Sequence, residues 1–273
     1  MPTVRLDDVD IAYDDVGTGP TLTLIHGHPF NRSMWRPQLT HFAQAGWRVI
    51  APDLRGYGDS EVVPGITTVG TFARDIAGLL DYLKVEATVL GGLSRGGQIV
   101  MELQRSFPHR VRGIALADTS AQAETEAGKE LRRDTAQRLM REGMTPYADE
   151  LLSKMLAPET IRRQPHVARH VLAMMRGTSP EGAAAALRGR AERPDYLEVL
   201  SEAAVPIVVV VGRDDEFTPV EDAELIQARV PGATLVVIQA AGHMPNLERP
   251  TEFNAALQGL LDAVHQPQPT RSA

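Results

Sequence analysis

The chain has no cysteine among its 273 residues, which excludes disulfides, thiolate metal sites and a cysteine nucleophile. The same absence removes the usual staple of a secreted fold and favours a cytoplasmic location. Aromatic residues are scarce, at 5 %, so stacking is not an advertised mode of recognition. No window approaches the run of about 18 apolar residues that a membrane span requires. The first ten residues, MPTVRLDDVD, carry charges and lack an apolar core, so no signal peptide is expected. No basic block interrupts a net charge of −7. A nucleic-acid surface is therefore not expected, although a local cationic pocket remains compatible with the composition. Nothing in the sequence marks an oligomer interface.

What is present begins with 43 % hydrophobic residues, enough for one large core. Thr3–Leu6 and Val9–Val16, separated by Asp7 and Asp8, read as a hairpin. Six short apolar runs follow, at 21–27, 47–53, 87–92, 111–119, 206–212 and 233–239. They are rich in β-branched residues and bounded by Gly, Pro or Asp, as strands buried on both faces are. Helical spacing separates them: Val69, Phe72, Ile76, Leu79, Leu80 and Leu83 share one face, and Ile99, Val100, Met101, Leu103 and Phe107 another. Further helices are expected at 219–230 and 250–265. Alternation of this kind predicts an α/β fold with a doubly wound, mostly parallel eight-stranded sheet.

Residues 122–204 break the rhythm, with helical patterns and no strand-like run. A crossover between neighbouring parallel strands does not need that length. The segment is read as an all-helical cap, leaving 1–121 and 205–265 as the core and 266–273 as a frayed, disordered tail. It carries equal numbers of acidic and basic residues and five of the nine methionines: Met140, Met144, Met155, Met174 and Met175. These either fill gaps between helices or line a substrate pocket.

The stretch VLGGLSRGGQ, residues 89–98, places Ser94 between a strand and a helix within Gly92-Leu-Ser-Arg-Gly96. A strand turning directly into a helix forces the serine into a strained conformation, and side chains at 92 and 96 would collide there. A serine hydroxyl needs a base, an acid that orients the base, and donors for the oxyanion. In an open α/β sheet all of these belong at the carboxyl ends of strands. His243, after the run at 233–239, is the one histidine with that setting. Asp214 and Asp215 follow the run at 206–212; Asp215 is favoured and Asp214 is the near alternative. The turn after 21–27, LIHGHPF, supplies free backbone amides. The candidate oxyanion donors are the backbone N–H groups of His28 and Arg95, without a role for the His28 imidazole. No metal or cofactor is required by this set.

HGHP (26–29), PDLRGYGDS (52–60), GLSRGG, GRDDEFTP and AGHMPNLERP together resemble the oxyanion turn, structural signature, nucleophile elbow, acid loop and histidine loop of the α/β-hydrolase superfamily. Within it the chain looks most like the 3-oxoadipate enol-lactonase and small esterase branch. The resemblance implies a triad of Ser94, Asp215 and His243, with the acid three residues past Gly212, and a lid between the sixth and seventh strands. It implies a serine hydrolase that cleaves a small ester or lactone through an acyl-enzyme. A C–C bond hydrolase or a cofactor-free perhydrolase or haloperoxidase would use the same triad, and a non-catalytic small-ligand receptor would use the same fold. Arg95 departs from the residues common at its position. It is expected either to pair with a cap carboxylate or to bind a substrate carboxylate, as would suit an acidic lactone. Asp53, Arg55, Gly56, Gly58 and Ser60 are read as bracing the oxyanion turn. Phe30, Trp35, Met144 and Met244 are the candidates for the substrate pocket.

Overall fold

The structure is a computed structural model that describes residues 2–265; the tail expected at 266–273 lies outside the described residues. All eight expected strands form. They are β1 (Thr3–Leu6), β2 (Val9–Val16), β3 (Thr21–Ile25), β4 (Arg48–Pro52), β5 (Thr88–Leu93), β6 (Val111–Ala117), β7 (Ile207–Gly212) and β8 (Thr234–Ile238). They make one sheet in the order β1-β2-β4-β3-β5-β6-β7-β8. Pairing is antiparallel for β1–β2 and β2–β4 and parallel from β4 through to β8.

The β-branched runs explain why both faces are covered. In β7, Val209 and Val211 join one apolar cluster with Val69, Phe72 and Ile76 of α2 (Val69–Tyr82), Ile99 and Val100 of the helix after Ser94, and Ile226. Val208 and Val210 join the other cluster, with Leu39, Phe42, Phe253, Leu257 and Leu261. Successive side chains of one strand thus feed opposite layers, as period-2 geometry demands. The first layer is α2, α3 (Arg95–Ser106) and α10 (Val220–Arg229); the second is α1 (Arg36–Gln44) and α12 (Pro250–His265). Helix α1 carries only two well-buried apolar side chains, Leu39 and Phe42, a pattern too sparse for sequence periodicity to reveal.

Six helices lie between β6 and β7: α4 (Glu126–Glu142), α5 (Met144–Met155), α6 (Pro158–Arg163), α7 (Pro165–Gly177), α8 (Pro180–Arg190) and α9 (Leu197–Ser201). A last short helix, α11 (Pro245–Glu248), precedes α12. Helix α8 is capped by Ser179, whose side chain accepts from Gly182 N–H, and is built from small residues. A Cβ on Gly182 would meet the Gly56 backbone, and one on Gly189 would meet the Thr67 carbonyl. The helix therefore lies backbone-to-backbone on the loops after β4. Among the described residues no helix is long and apolar enough to cross a membrane.

Candidate active site

Ser94 sits between β5 and α3 at φ 56° and ψ −116°, a region that a residue with a Cβ occupies only under constraint. Three contacts impose it. Ser94 N–H donates to the Ala117 carbonyl (2.8 Å), and its own carbonyl accepts from Gly97 N–H (3.0 Å) and from Thr119 Oγ1 (2.7 Å). A Cβ at Gly92 would strike the Gly96 backbone, and one at Gly96 the Ile25 carbonyl, which is why the turn needs both glycines.

Asp215 follows β7 and is buried. Its Oδ1 accepts from Phe217 N–H (2.8 Å) and Thr218 N–H (3.3 Å). Its Oδ2 accepts from Thr218 Oγ1 (2.6 Å) and pairs with His243 Nδ1 (2.8 Å). Burial alone would raise its pKa, but His243 and these donors more than offset it and hold the group below the usual carboxylate value. Asp214 is exposed, so of the two candidates Asp215 is the one beside His243.

His243 is buried, with the Phe217 ring against it at a centroid distance of 5.2 Å. Its loop is tied to the helical segment: His243 N–H donates to the Met155 carbonyl (3.1 Å). Buried Glu248 accepts from Gly242 N–H and Ala157 N–H, both at 2.8 Å. Desolvation raises the pKa of Glu248 despite these donors. Asp118, at the end of β6, completes a group of three with Asp215 and His243, their ligand-type atoms within 4.8 Å of one another. Its Oδ1 accepts from Gly212 N–H (2.9 Å), and burial, then the Asp215 charge, push its pKa well up. A carboxyl whose pKa burial raises and a histidine nitrogen already engaged by Asp215 make a poor ligand set for a cation.

Ser94 and His243 line one narrow cavity of about 60 Å³ with His28, Thr218, Phe217, Arg132, Tyr147, Leu151, Met155 and Arg190. The hydroxyl of Ser94 makes no hydrogen bond to the His243 ring among the described residues. The N–H groups of His28 and Arg95 donate none of the turn, loop or cap hydrogen bonds of the described residues. Arg95 heads α3, where helix N–H groups have no intrahelical acceptor.

Four expected pocket residues lie elsewhere. Phe30, Trp35 and Met244 are fully buried in the second apolar cluster, and Met144 packs with Ala136, Leu139 and Leu187 between α4, α5 and α8. They are core residues, since the cavity is narrow and drawn toward the arginines. Of the five methionines in the helical segment, Met155 alone lines the cavity. The expectation of a cap carboxylate for Arg95 also fails. Arg95 is 1 % exposed; its guanidinium donates from Nη1 to Tyr57 Oη (2.7 Å) and leaves Nε and Nη2 without partners. The side chain runs toward the β4 loop instead of toward the acids of the helical segment. His28 also lines the cavity, its imidazole Nδ1 2.8 Å from Tyr57 Oη. Sequence reasoning missed Tyr57, Arg132, Tyr147 and Arg190. Tyr57 was available inside the 52–60 motif, whereas nothing local marks the other three.

The 52–60 loop bonds to the segment after β3 through Leu54 and Asp53, whereas Arg55 pairs with Asp75 and Asp8 instead. His26 Nε2 accepts from Leu54 N–H (2.9 Å), and burial brings the His26 pKa down to about 4, so the ring stays neutral. Asp53 accepts from the backbone N–H of Arg32 (2.7 Å), and Ser60 Oγ donates to the Asp53 carbonyl (2.8 Å).

The family model described as "alpha/beta hydrolase fold" matches residues 20–250. The chain belongs to the α/β-hydrolase family. It is 28 % identical over 261 residues to 3-oxoadipate enol-lactonase 2 of Acinetobacter baylyi, covering 95 % of this chain and 96 % of that one. Among solved structures it is similar to a thermophilic esterase from Thermogutta terrifontis with malate bound, at TM-score 0.92 and 38 % identity, covering 94 % and 95 % of the two chains. It is likewise similar to the enol-lactonase from Burkholderia xenovorans, at TM-score 0.88 and 26 % identity, covering 96 % and 100 %. This α/β hydrolase thus has both esterases and lactonases among its relatives.

Proposed function

We propose that this α/β hydrolase cleaves carboxylic esters or lactones through an acyl-enzyme on Ser94. The observation that carries the proposal is the buried Asp215–His243 pair at 2.8 Å, facing the cavity that Ser94 also lines. Asp215 accepts from Nδ1, so Nε2 is the nitrogen free to take the Ser94 proton. Ser94 Oγ attacks the carbonyl carbon, the proton passes to His243, and Asp215 stabilises the imidazolium. The amides of His28 and Arg95 hold the tetrahedral oxyanion. The imidazolium then protonates the leaving alkoxide, and water activated by His243 releases the acid. In a lactone the leaving oxygen stays on the acyl chain, and the same water step then releases the ring-opened hydroxy acid. Residues 122–204 act as the cap, contributing Arg132, Tyr147, Leu151, Met155 and Arg190 to the cavity, while 1–121 and 205–265 form the core.

The test is turnover of short and long p-nitrophenyl esters and of γ- and δ-lactones by wild type, Ser94→Ala, Asp215→Asn and Asp214→Asn. Ser94→Ala should lose at least about 10³-fold in kcat, and Asp215→Asn on the order of 10³–10⁴-fold. Exposed Asp214→Asn should stay within about twofold. An unchanged rate in Ser94→Ala would sink the proposal. Tight binding of an intact ligand with negligible wild-type turnover would instead identify a receptor on the same fold.

A further inference from the structure

We propose that the Ser94 cavity contains a carboxylate-binding subsite made by Arg132, Arg190 and the His28 imidazole, and that the preferred ester or lactone carries a second, free carboxylate. The proposal rests on the serine-hydrolase reading for its link to turnover, but the subsite has its own basis.

The first observation is an imbalance of charge. Arg132 and Arg190 both line the cavity, and no acidic side chain lines it among the described residues. Their shared counter-charge is Glu124, whose Oε2 lies 3.3 Å from Arg132 Nε and 3.5 Å from Arg190 Nε. One carboxylate therefore serves two guanidinium groups at long distances. Arg95 stands nearby with no carboxylate at all, and Nε of Arg190 lacks any hydrogen bond. Desolvation, then repulsion from Arg132, Arg193 and Arg95, pushes Arg190 well below its ordinary pKa. A cation only 16 % exposed and held this way is poised for an anion, because N–H donors largely withdrawn from water need other acceptors. Placed beside an ester-cleaving serine, the acceptor geometry that a guanidinium matches best is a carboxylate.

The second observation fixes the His28 ring. Arg95 Nη1 can only donate, so Tyr57 Oη accepts from it at 2.7 Å. The proton of the buried Tyr57 hydroxyl then has one acceptor within reach, His28 Nδ1 at 2.8 Å. The opposite tautomer would leave that O–H unpaired. His28 is thus protonated on Nε2, and burial, then the charges of Arg95, Arg190 and Arg132, keep the ring from taking a second proton. Tyr147 Oη lies 3.5 Å from Nε2, too long to satisfy it, so a neutral N–H donor joins the two arginines in the wall. Arg95 is a positioning residue here, acting through Tyr57 and His28, and never reaches the cavity itself.

The test compares two p-nitrophenyl esters of similar acyl length, the hemisuccinate, which ends in a carboxylate, and the butyrate, which ends in a methyl. The wild type should favour the hemisuccinate in kcat/KM by at least about tenfold. Arg190→Gln and Arg132→Gln should each lower that ratio by about tenfold, mainly through KM, and Arg190→Lys should retain most of it. Tyr57→Phe, which releases the ring, should lower it by roughly threefold. Taking the ratio within one sample cancels any loss of folded protein. Equal or better use of the butyrate by wild type, or a ratio that survives both glutamine variants, overturns the subsite and leaves the hydrolase standing. Succinate added to the Ser94→Ala protein provides the independent arm. It should raise the melting temperature there and not when Arg190→Gln is also present. That result without turnover of either ester would keep the subsite and defeat the hydrolase reading.

Discussion

Asp118 shows how much one buried carboxyl can govern. It is 1 % exposed, adopts φ 45° and sits against Asp215. Burial, then the Asp215 charge, hold its pKa well above the ordinary value of 3.8. Between the ordinary and the raised value the folded protein binds more protons than the unfolded chain, so this group's contribution to stability falls as pH rises through that window. Asn can accept the same Gly212 N–H and tolerates positive φ. Asp118→Asn should therefore flatten the profile, with a larger gain in melting temperature at pH 8 than at pH 4.5. Parallel melting profiles for the two proteins would refute this. Sequence reasoning reached Ser94, Asp215 and His243 because each follows a strand and sits in a motif whose spacing reports backbone geometry. It did not reach Asp118, which ends a strand without a neighbouring glycine signal, nor the arginines, which meet only through folding.

At the level of elements, the strands were legible to within two residues because β-branched runs bounded by Gly, Pro or Asp leave few alternatives. The pocket was less legible. Arg132 and Arg190 come from α4 and α8, helices 58 positions apart in the numbering of these two residues, and no local pattern says that they converge. Convergence depends on the small residues of α8, whose backbone lies on the loops after β4. Gly189 precedes Arg190, and its missing Cβ allows the Thr67 carbonyl to approach. Gly189→Ala should cost about 1–3 kcal/mol through overpacking. For a chain of this size that lowers the melting temperature by roughly 2–4 °C per kcal/mol. Calorimetry would decide it, and an unchanged or raised melting temperature would show that α8 shifts without penalty.

Taken as a whole molecule, the helical segment between β6 and β7 shares its core with the sheet. Met155, Leu156, Val171 and Met175 belong to the same apolar cluster as Leu22, Leu24, Phe42 and Leu257 of the sheet and its second helical layer. Tyr196, just before α9, donates to Glu102 of α3 at 2.9 Å. Shared core of this kind couples the unfolding of its parts. A calorimetric scan should show one transition with matching calorimetric and van't Hoff enthalpies, and two resolved peaks would contradict the coupling.

The bonds from His243 N–H to Met155 and from Ala157 N–H to Glu248 have a mechanical consequence. They pin the chain at 155–157 to the loop that seats the histidine. Any movement that widens the entrance must turn about that pivot, because pulling it away would unseat His243. Helix α8 is anchored as well, with Gly182 and Gly189 lying on the backbone of Gly56 and Thr67, so Arg190 keeps its place in the cavity wall whichever way that turn goes.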